Sequence, residues 1–128
     1  MILADTSVVI DWLRAPSTRL RGIISTHAAA ICGVTVAEIF AGARTAAELA
    51  PYPAALALFG NVPIPLDIWE RVGQNLFACR RSGISVPLAD AIIATVALDN
   101  AVELWTYDAH FTLMQTALPA LRLFVEPS

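Results

Sequence analysis

The pattern that decides the fold of this chain is clearest near its start, where residues 2–13 read ILADTSVVIDWL. An apolar run stops at Asp5, and a segment typical of a helix follows directly. The same order of apolar run, acidic residue and helix recurs around Glu38, Asp90 and Asp108. If the apolar runs are parallel strands, their carboxyl ends meet at one edge of a sheet, where the ligands of open α/β sheets bind. The sequence therefore predicts that the four acids share one site.

Apolar runs and helix-like segments alternate along the chain. We predict strands at residues 2–4, 29–32, 62–66, 102–106 and 121–125. We predict helices at residues 7–13, 18–25, 35–49, 54–59, 68–81 and 88–100, with Asp67 capping the fifth and a last short helix starting at Asp108. This alternation predicts an α/β fold with a central parallel sheet of four to five strands and helices on both faces. Because no repeat or linker interrupts it, we expect one domain over residues 1–128.

The bulk composition favours a protein that stays in the cytoplasm. Hydrophobic residues make up 57% of the 128 residues, but no apolar stretch approaches the roughly 20 residues that a membrane span needs. No basic start followed by an apolar core precedes the first strand, so we expect no signal peptide and no membrane contact. The excess of apolar residues predicts a covering partner or a dimer surface.

Charge and cysteine content exclude several kinds of protein. Cys32 and Cys79 are too isolated for a disulfide scaffold or a thiolate metal site and are interpreted as buried thiols. The net charge of −3 argues against nucleic-acid binding by bulk positive charge, although a local basic rim remains compatible with it. All basic residues are arginine. The missing lysine excludes haloacid dehalogenase-like phosphatases, response-regulator receivers and P-loop enzymes, and no Gly-x-Gly loop indicates a dinucleotide fold.

Each acid also has a purely structural explanation. Acidic residues are favoured at helix N-termini because they bond free amide groups and oppose the helix dipole. Asp5 and Asp108 could be N-caps, and Asp90 could be an acid of the first turn. Thr35 and Glu38 have the spacing of a capping box, in which the threonine caps the helix and the glutamate bonds back to it.

If the acids do meet, they predict a metal-dependent hydrolase. Neighbouring carboxylates repel one another, and a divalent cation held by oxygen ligands relieves that repulsion. Mg²⁺ or Mn²⁺, as one ion or two, would activate water for phosphodiester hydrolysis. Thr6, Ser7 and Thr106 adjoin the acids. Their hydroxyls would either orient a metal water or a phosphate, or simply cap the helices that follow.

Four short motifs resemble those of PIN-domain nucleases, in the family's order and across nearly the whole chain. They are DTSV at residues 5–8, TVAE at 35–38 with a glycine at 42, PLADAIIA at 87–94 and LWTYDAHF at 104–111. The chain length is similar to that of VapC-type toxins of toxin–antitoxin pairs. The resemblance implies a Mg²⁺- or Mn²⁺-dependent endoribonuclease that a VapB-type antitoxin silences. The alternative is a catalytically inactive PIN-like module that acts only through protein contacts.

The resemblance also implies roles for individual residues. Asp5 and Asp90 would be the principal metal ligands, Glu38 a further ligand or a water-orienting acid, and Asp108 the fourth acid. His110 stands where many relatives have an acid, and we interpret it as a surface residue of the last helix.

Two surfaces are expected to serve partners. A basic rim for RNA would come from Arg80 or Arg81 and from one of three early arginines, Arg14, Arg19 and Arg21. The apolar helix faces are either ordinary core or, as the resemblance implies, a groove for the antitoxin and a homodimer surface within a larger toxin–antitoxin assembly. The residues expected on those faces are Val8, Val9, Trp12, Leu13, Ile39, Phe40 and Leu49.

Overall fold

A computed structural model describes all 128 residues of the chain. The strands are β1 (Ile2–Ala4), β2 (Ala29–Ile31), β3 (Gly60–Asn61) and β4 (Glu103–Trp105). The helices are α1 (Thr6–Arg14), α2 (Thr18–Thr26), α3 (Gly33–Ala41), α4 (Ala46–Leu49), α5 (Tyr52–Leu56), α6 (Trp69–Arg81), α7 (Leu88–Asp99) and α8 (His110–Ala117).

The four strands form one parallel sheet in the order β3-β2-β1-β4. Leu3 of β1 lies between Ala30 of β2 and Leu104 of β4. The chain moves outward from β1 to β2 and β3, and then crosses back to place β4 on the other side of β1. The order therefore reverses at β1, and a ligand site is expected outside its carboxyl end. The α/β fold predicted from the sequence is confirmed.

Helices cover both faces of the sheet because side chains alternate along each short strand. Leu3 and Leu104 face a hydrophobic cluster that includes buried residues of α6, α7 and α8. Ile2 and Trp105 face a second cluster, to which α1, α2, α3 and α5 contribute. Seven consecutive residues of α7, Ala91–Ala97, are buried, so this helix is held from several sides.

The apolar faces of α1 and α3 belong mostly to the core. Val8 and Val9 are completely buried in the second cluster, so of the two readings of these faces, core and partner groove, the core reading is correct for them. Trp12 and Ile39 belong to the same cluster and expose only an edge. The remaining residues expected on these faces, Leu13, Phe40 and Leu49, are partly exposed.

Two predicted strands are shorter than expected. The third lies at Gly60–Asn61, not at residues 62–66, and only the Val62 amide continues the ladder, donating to the Ile31 carbonyl at 2.9 Å. Pro63 and Pro65 have no amide hydrogen to extend it. The last predicted strand is reduced to a parallel bridge between Leu123 and Leu104.

Two predicted helix starts are wrong. Helix α3 begins at Gly33, so Thr35 lies inside its first turn and forms no capping box. The Thr35 hydroxyl is buried without a hydrogen-bond partner, which costs roughly 1–3 kcal/mol. That helix ends at Gly42, and α4 starts separately with a Thr45 cap. Asp67 does not cap α6; its side chain is 82% exposed and pairs with Arg71 at 3.6 Å.

Both cysteines are buried and unpaired, as the sequence indicated. None of the helices has the length and apolar character needed to span a membrane.

Candidate active site at the carboxyl edge of the sheet

Asp5 follows the central strand and is the most deeply buried acid of the site, with 3% of its surface exposed. It is the N-cap of α1, and its Oδ1 accepts a hydrogen bond from the Val8 amide at 3.2 Å. The sequence left open whether Asp5 is a helix cap or a site residue. The cap is real, and it holds the carboxylate at the sheet edge.

Two hydroxyls connect Asp5 to the loop after β4. Ser7 Oγ donates to Asp5 Oδ1 at 2.6 Å and accepts from the Tyr107 amide at 3.0 Å. Thr106 Oγ1 donates to Asp5 Oδ2 at 2.5 Å and accepts from the Asp108 amide at 2.9 Å. Each hydroxyl thus links one oxygen of Asp5 to one amide of the loop that carries Asp108.

Burial and hydrogen bonding act on Asp5 in opposite directions. Removal from water raises the pKa of the Asp5 carboxyl, while the hydrogen bonds from Ser7 and Thr106 lower it. Burial has the larger effect, so the pKa is raised overall.

Asp90, in the first turn of α7, carries the largest electrostatic perturbation among the four acids. Burial, the largest cause, and the charges of Asp108, Glu38 and Asp5 together raise the pKa of Asp90 to about 6, while nearby His110 opposes them. A carboxylate responds in this way when like charges lie close to it. The four acids, which come from four separate crossovers, are therefore brought together at one edge of the sheet.

Asp108 and His110 lie at the start of α8, on the same side as Asp90. Asp108 Oδ1 accepts a hydrogen bond from the His110 amide at 2.9 Å. His110 Nδ1 is 3.8 Å from Asp90 Oδ2, beyond hydrogen-bond distance. The His110 side chain is 28% exposed at the start of α8, and its ring nitrogen is close enough to Asp90 and Asp108 to be a potential ligand, the other role considered for it.

Glu38 approaches the other acids from α3. Its Oε1 accepts a hydrogen bond from Thr6 Oγ1 at 2.6 Å. Glu38 also lines a groove of about 430 Å³ whose other side includes Leu13 and Arg14 of α1. The third hydroxyl singled out in the sequence thus orients Glu38.

The residues best placed to hold a metal ion are Asp90, Asp108 and His110. One potential ligand atom from each lies within 4.8 Å of the others. Oxygen ligands from two carboxylates suit Mg²⁺ or Mn²⁺, and an imidazole nitrogen is more compatible with Mn²⁺. Burial and the neighbouring carboxylates raise the pKa of Asp90, and a bound cation would offset the repulsion among them. The donor set therefore fits a divalent cation.

The predicted basic rim is only partly present. Helices α6 and α7 are antiparallel, since Arg71 pairs with Asp99 at 2.7 Å and Asn75 donates to Thr95 at 2.9 Å. Arg80 and Arg81, at the end of α6, therefore lie at the same end of the fold as Asp90. Among the early arginines, Arg14 lines the same groove as Glu38. Arg19 forms an ion pair with Glu126 at 2.6 Å, and Arg21 is exposed.

Glu126 is a residue that sequence reasoning missed. Its carboxylate accepts hydrogen bonds from Trp105 Nε1 at 3.1 Å, Tyr107 Oη at 2.5 Å and Arg19 at 2.6 Å. Burial opposes ionisation, but these donors hold the pKa of Glu126 below its ordinary value. Burial, together with the bond to Glu126, raises the pKa of Tyr107 to about 12. Glu126 thereby fixes the residues on both sides of Thr106, and nothing in its local sequence indicates this.

Comparison with known proteins adds a family and a fold. The family model described as PIN domain matches residues 2–115. No curated protein matches the sequence. The DNA-bound VapBC of Salmonella typhimurium is 20% identical with a TM-score of 0.83, over 97% of this chain and 98% of that chain. FitAcB of Neisseria gonorrhoeae is 21% identical with a TM-score of 0.74, over 98% of both chains. VapBC-5 of Mycobacterium tuberculosis is 23% identical with a TM-score of 0.68, over 96% of both.

Replacing Asp90 by asparagine is expected to stabilise the protein in a pH-dependent way. The folded-state pKa of about 6 exceeds the ordinary 3.8, so the stability that the protonated carboxyl contributes is lost as pH rises from 3.8 through 6. The asparagine side chain stays neutral over this range. Urea unfolding should therefore show Asp90→Asn to be more stable than the parent by about 1–3 kcal/mol at pH 7.5 and much closer to it at pH 4.

The matched control for this comparison is Asp67→Asn, which removes an exposed acid outside the cluster. It should have little effect at either pH. A difference between Asp90→Asn and the parent that is the same at pH 4 and pH 7.5 would contradict the electrostatic account of the cluster.

Proposed function

Because this chain belongs to the PIN domain family, we propose that it is a Mg²⁺- or Mn²⁺-dependent endoribonuclease, the VapC-type toxin of a toxin–antitoxin pair. The observation that carries the proposal is the cluster of Asp90, Asp108 and His110 at the carboxyl edge of the sheet, with potential ligand atoms within 4.8 Å of one another. Burial and the charges of Asp108 and Glu38 also raise the pKa of Asp90. Carboxylates that repel one another at the ligand-binding edge of a sheet lower the stability of the fold. Such perturbed groups cluster at functional sites.

In this proposal the acids are both metal ligands and catalytic groups. Asp90 and Asp108 hold the ion, with His110 beside them and the buried Asp5 completing the negative site. Glu38 orients water, since Thr6 bonds only its Oε1 and leaves Oε2 free of that bond. A bound Mg²⁺ or Mn²⁺ supplies Lewis-acid chemistry for phosphodiester hydrolysis.

Ser7 and Thr106 act through position. Each hydroxyl joins an oxygen of Asp5 to a backbone amide of the loop that carries Asp108. They therefore keep two carboxylates from different strands at a fixed separation, which a preorganised site requires.

RNA would approach over a local basic rim. Arg14 lines the same groove as Glu38, and Arg80 and Arg81 stand at the end of α6 that lies at the same end of the fold as Asp90. All three guanidinium groups are free of ion pairs, unlike those of Arg19 and Arg71. Since the chain carries a net charge of −3, phosphate contacts must come from such a local cluster.

The antitoxin would occupy the groove between α1 and α3. The groove is lined by apolar Ile10, Leu13, Ile39 and Tyr52, and it also reaches the carboxylate of Glu38. An amphipathic helix would bury its apolar face there and bring a basic side chain to the acids. VapBC of Salmonella typhimurium and of Rickettsia felis, both similar in fold, were solved as complexes bound to DNA.

A homodimer would use the exposed face of α6. Trp69 and Phe77 are 56% and 61% exposed and lie two turns apart on one face, with Gly73 between them. Leu66, just before the helix, is 96% exposed. Large aromatic groups in a row on a surface helix indicate an interface.

The nuclease proposal predicts metal-dependent RNA cleavage that requires the acids. The parent should cleave single-stranded RNA with Mg²⁺ or Mn²⁺ and stop in EDTA, and Asp5→Asn and Asp90→Asn should each reduce the rate roughly a hundredfold or more. Asp67→Asn is the control and should retain activity. Absence of cleavage by the folded parent with either ion would favour the inactive interaction module instead.

The antitoxin proposal predicts that a charge in the groove releases the toxin. When the protein is co-expressed with the antitoxin encoded beside it, Leu13→Glu should abolish co-purification and restore growth inhibition. Leu113→Glu, an exposed position on α8 outside the groove, is the control. Thermal melting of both variants checks that they fold, and co-purification of folded Leu13→Glu would place the partner elsewhere.

The dimer proposal predicts that a polar change on α6 dissociates the protein. Sedimentation equilibrium should give a dimer for the parent and a dimer dissociation constant at least roughly tenfold higher for Trp69→Gln, about 1.4 kcal/mol of lost association energy. Leu113→Gln should remain dimeric. A monomeric parent, or a Trp69→Gln protein with unchanged association, would argue against this face.

A further inference from the structure

A cavity of about 310 Å³ lies between the last turn of α6 and the segment that leads into α7. Its lining residues are Leu76, Arg80, Gly83, Ile84, Ser85 and Val86. This volume is at the lower end of the range for small-molecule sites, about 300–1,000 Å³. None of the roles proposed above for the acids accounts for it.

The cavity wall is fixed by a helix C-cap. Gly83 has a positive φ of 77°, which allows its amide to donate to the Arg80 carbonyl at 3.0 Å and the Ile84 amide to donate to the Cys79 carbonyl at 2.9 Å. This pair of bonds closes α6 in a Schellman-type turn. Leu76, Ile84 and Val86 also pack against the main hydrophobic cluster. The cavity is therefore a formed feature of the fold.

Its chemistry combines an apolar floor with a polar rim. Leu76, Ile84 and Val86 are half-buried and form the floor, while Arg80 and Ser85 are exposed at the rim. Arg80 makes no ion pair, so its planar guanidinium is free to stack. An unpaired nucleobase is complementary to these groups, because its flat apolar face can stack on arginine and its polar edge accepts and donates hydrogen bonds.

The cavity also lies at the same end of the fold as the acids. The end of α6 is next to the start of α7, and Val86 is only four residues before Asp90, at most about 14 Å of extended chain. A base held in the cavity would therefore belong to an RNA whose backbone passes the carboxylate cluster.

We propose that this cavity binds one unpaired nucleobase of the RNA substrate, with the base stacked on Arg80 and its edge read by Ser85. The inference rests on the proposed nuclease function and adds a specificity-determining site to it. Arg81, the next residue, does not line the cavity and lies over the Phe77 ring instead. Of the two arginines at the end of α6, Arg80 would select the base, and only Arg81 would contribute charge to the basic rim proposed above.

The test separates base selection from charge by comparing the two neighbouring arginines. Short single-stranded RNAs, each carrying 2-aminopurine at one position, would be titrated in EDTA into protein with the Asp5→Asn background. Fluorescence should change at one position only. In that background Arg80→Ala should weaken binding roughly tenfold and abolish the positional signal, and Ser85→Ala should alter the preference among bases at that position. Arg81→Ala should weaken all RNAs alike.

Ile84→Trp, which fills the cavity, gives an independent arm, with its melting temperature as the check on folding. It should remove the positional signal while preserving the salt dependence of binding. If RNA binds but Arg80→Ala, Ser85→Ala and folded Ile84→Trp leave the signal and base preference unchanged, the cavity is not a base site and the nuclease proposal stands. If the protein binds none of the RNAs, the RNA substrate and the base site are both wrong.

Discussion

The burial of one carboxylate at the end of the central strand constrains the rest of this structure. The Asp5 amide continues the β1–β4 ladder by donating to the Trp105 carbonyl at 3.0 Å, so the backbone of Asp5 cannot move away from the sheet. Its side chain is consequently buried, and a buried carboxylate is tolerated only when its oxygens are hydrogen-bonded. Ser7, Val8 and Thr106 meet that requirement. The hydroxyl residues beside the acid are thus demanded by its position.

The same constraint explains how the fold sustains repulsion among four acids. Asp90 directly precedes the buried run Ala91–Ala97 of α7, so its backbone is held at the start of a helix that is packed from several sides. Asp108 is held through its amide by Thr106, and Glu126 holds the residues on either side of Thr106. Apolar side chains buried on both faces of the sheet provide the stability that offsets the repulsion among the carboxylates. Functional sites commonly carry such a local cost.

Much of this could be predicted from the sequence, because it follows from short apolar runs. Buried runs identified the strands beginning at Ile2, Ala29 and Val102 to within a residue or two, and the parallel arrangement then required the four acids to meet. Helix starts were less accessible, since Thr35 and Asp67 have the local chemistry of caps without serving as caps. Residues able to cap a helix occur at several neighbouring positions, and tertiary packing decides which of them begins the helix.

Contacts between residues far apart in the chain could not be predicted from the sequence, for a different reason. Glu126 meets Trp105 and Tyr107 only because the chain after α8 returns beside β4, and His110 faces Asp90 only because α7 and α8 begin at one edge. A periodic sequence pattern does not predict contacts between single side chains that are far apart in the chain. The consequence is chemical: both oxygens of Asp5 already accept hydrogen bonds, while the charge of Asp90 is opposed only by His110. In the proposed metal site, Asp90 and Asp108 would therefore be the direct ligands, and Asp5 would act mainly by holding the loop that carries Asp108 in place.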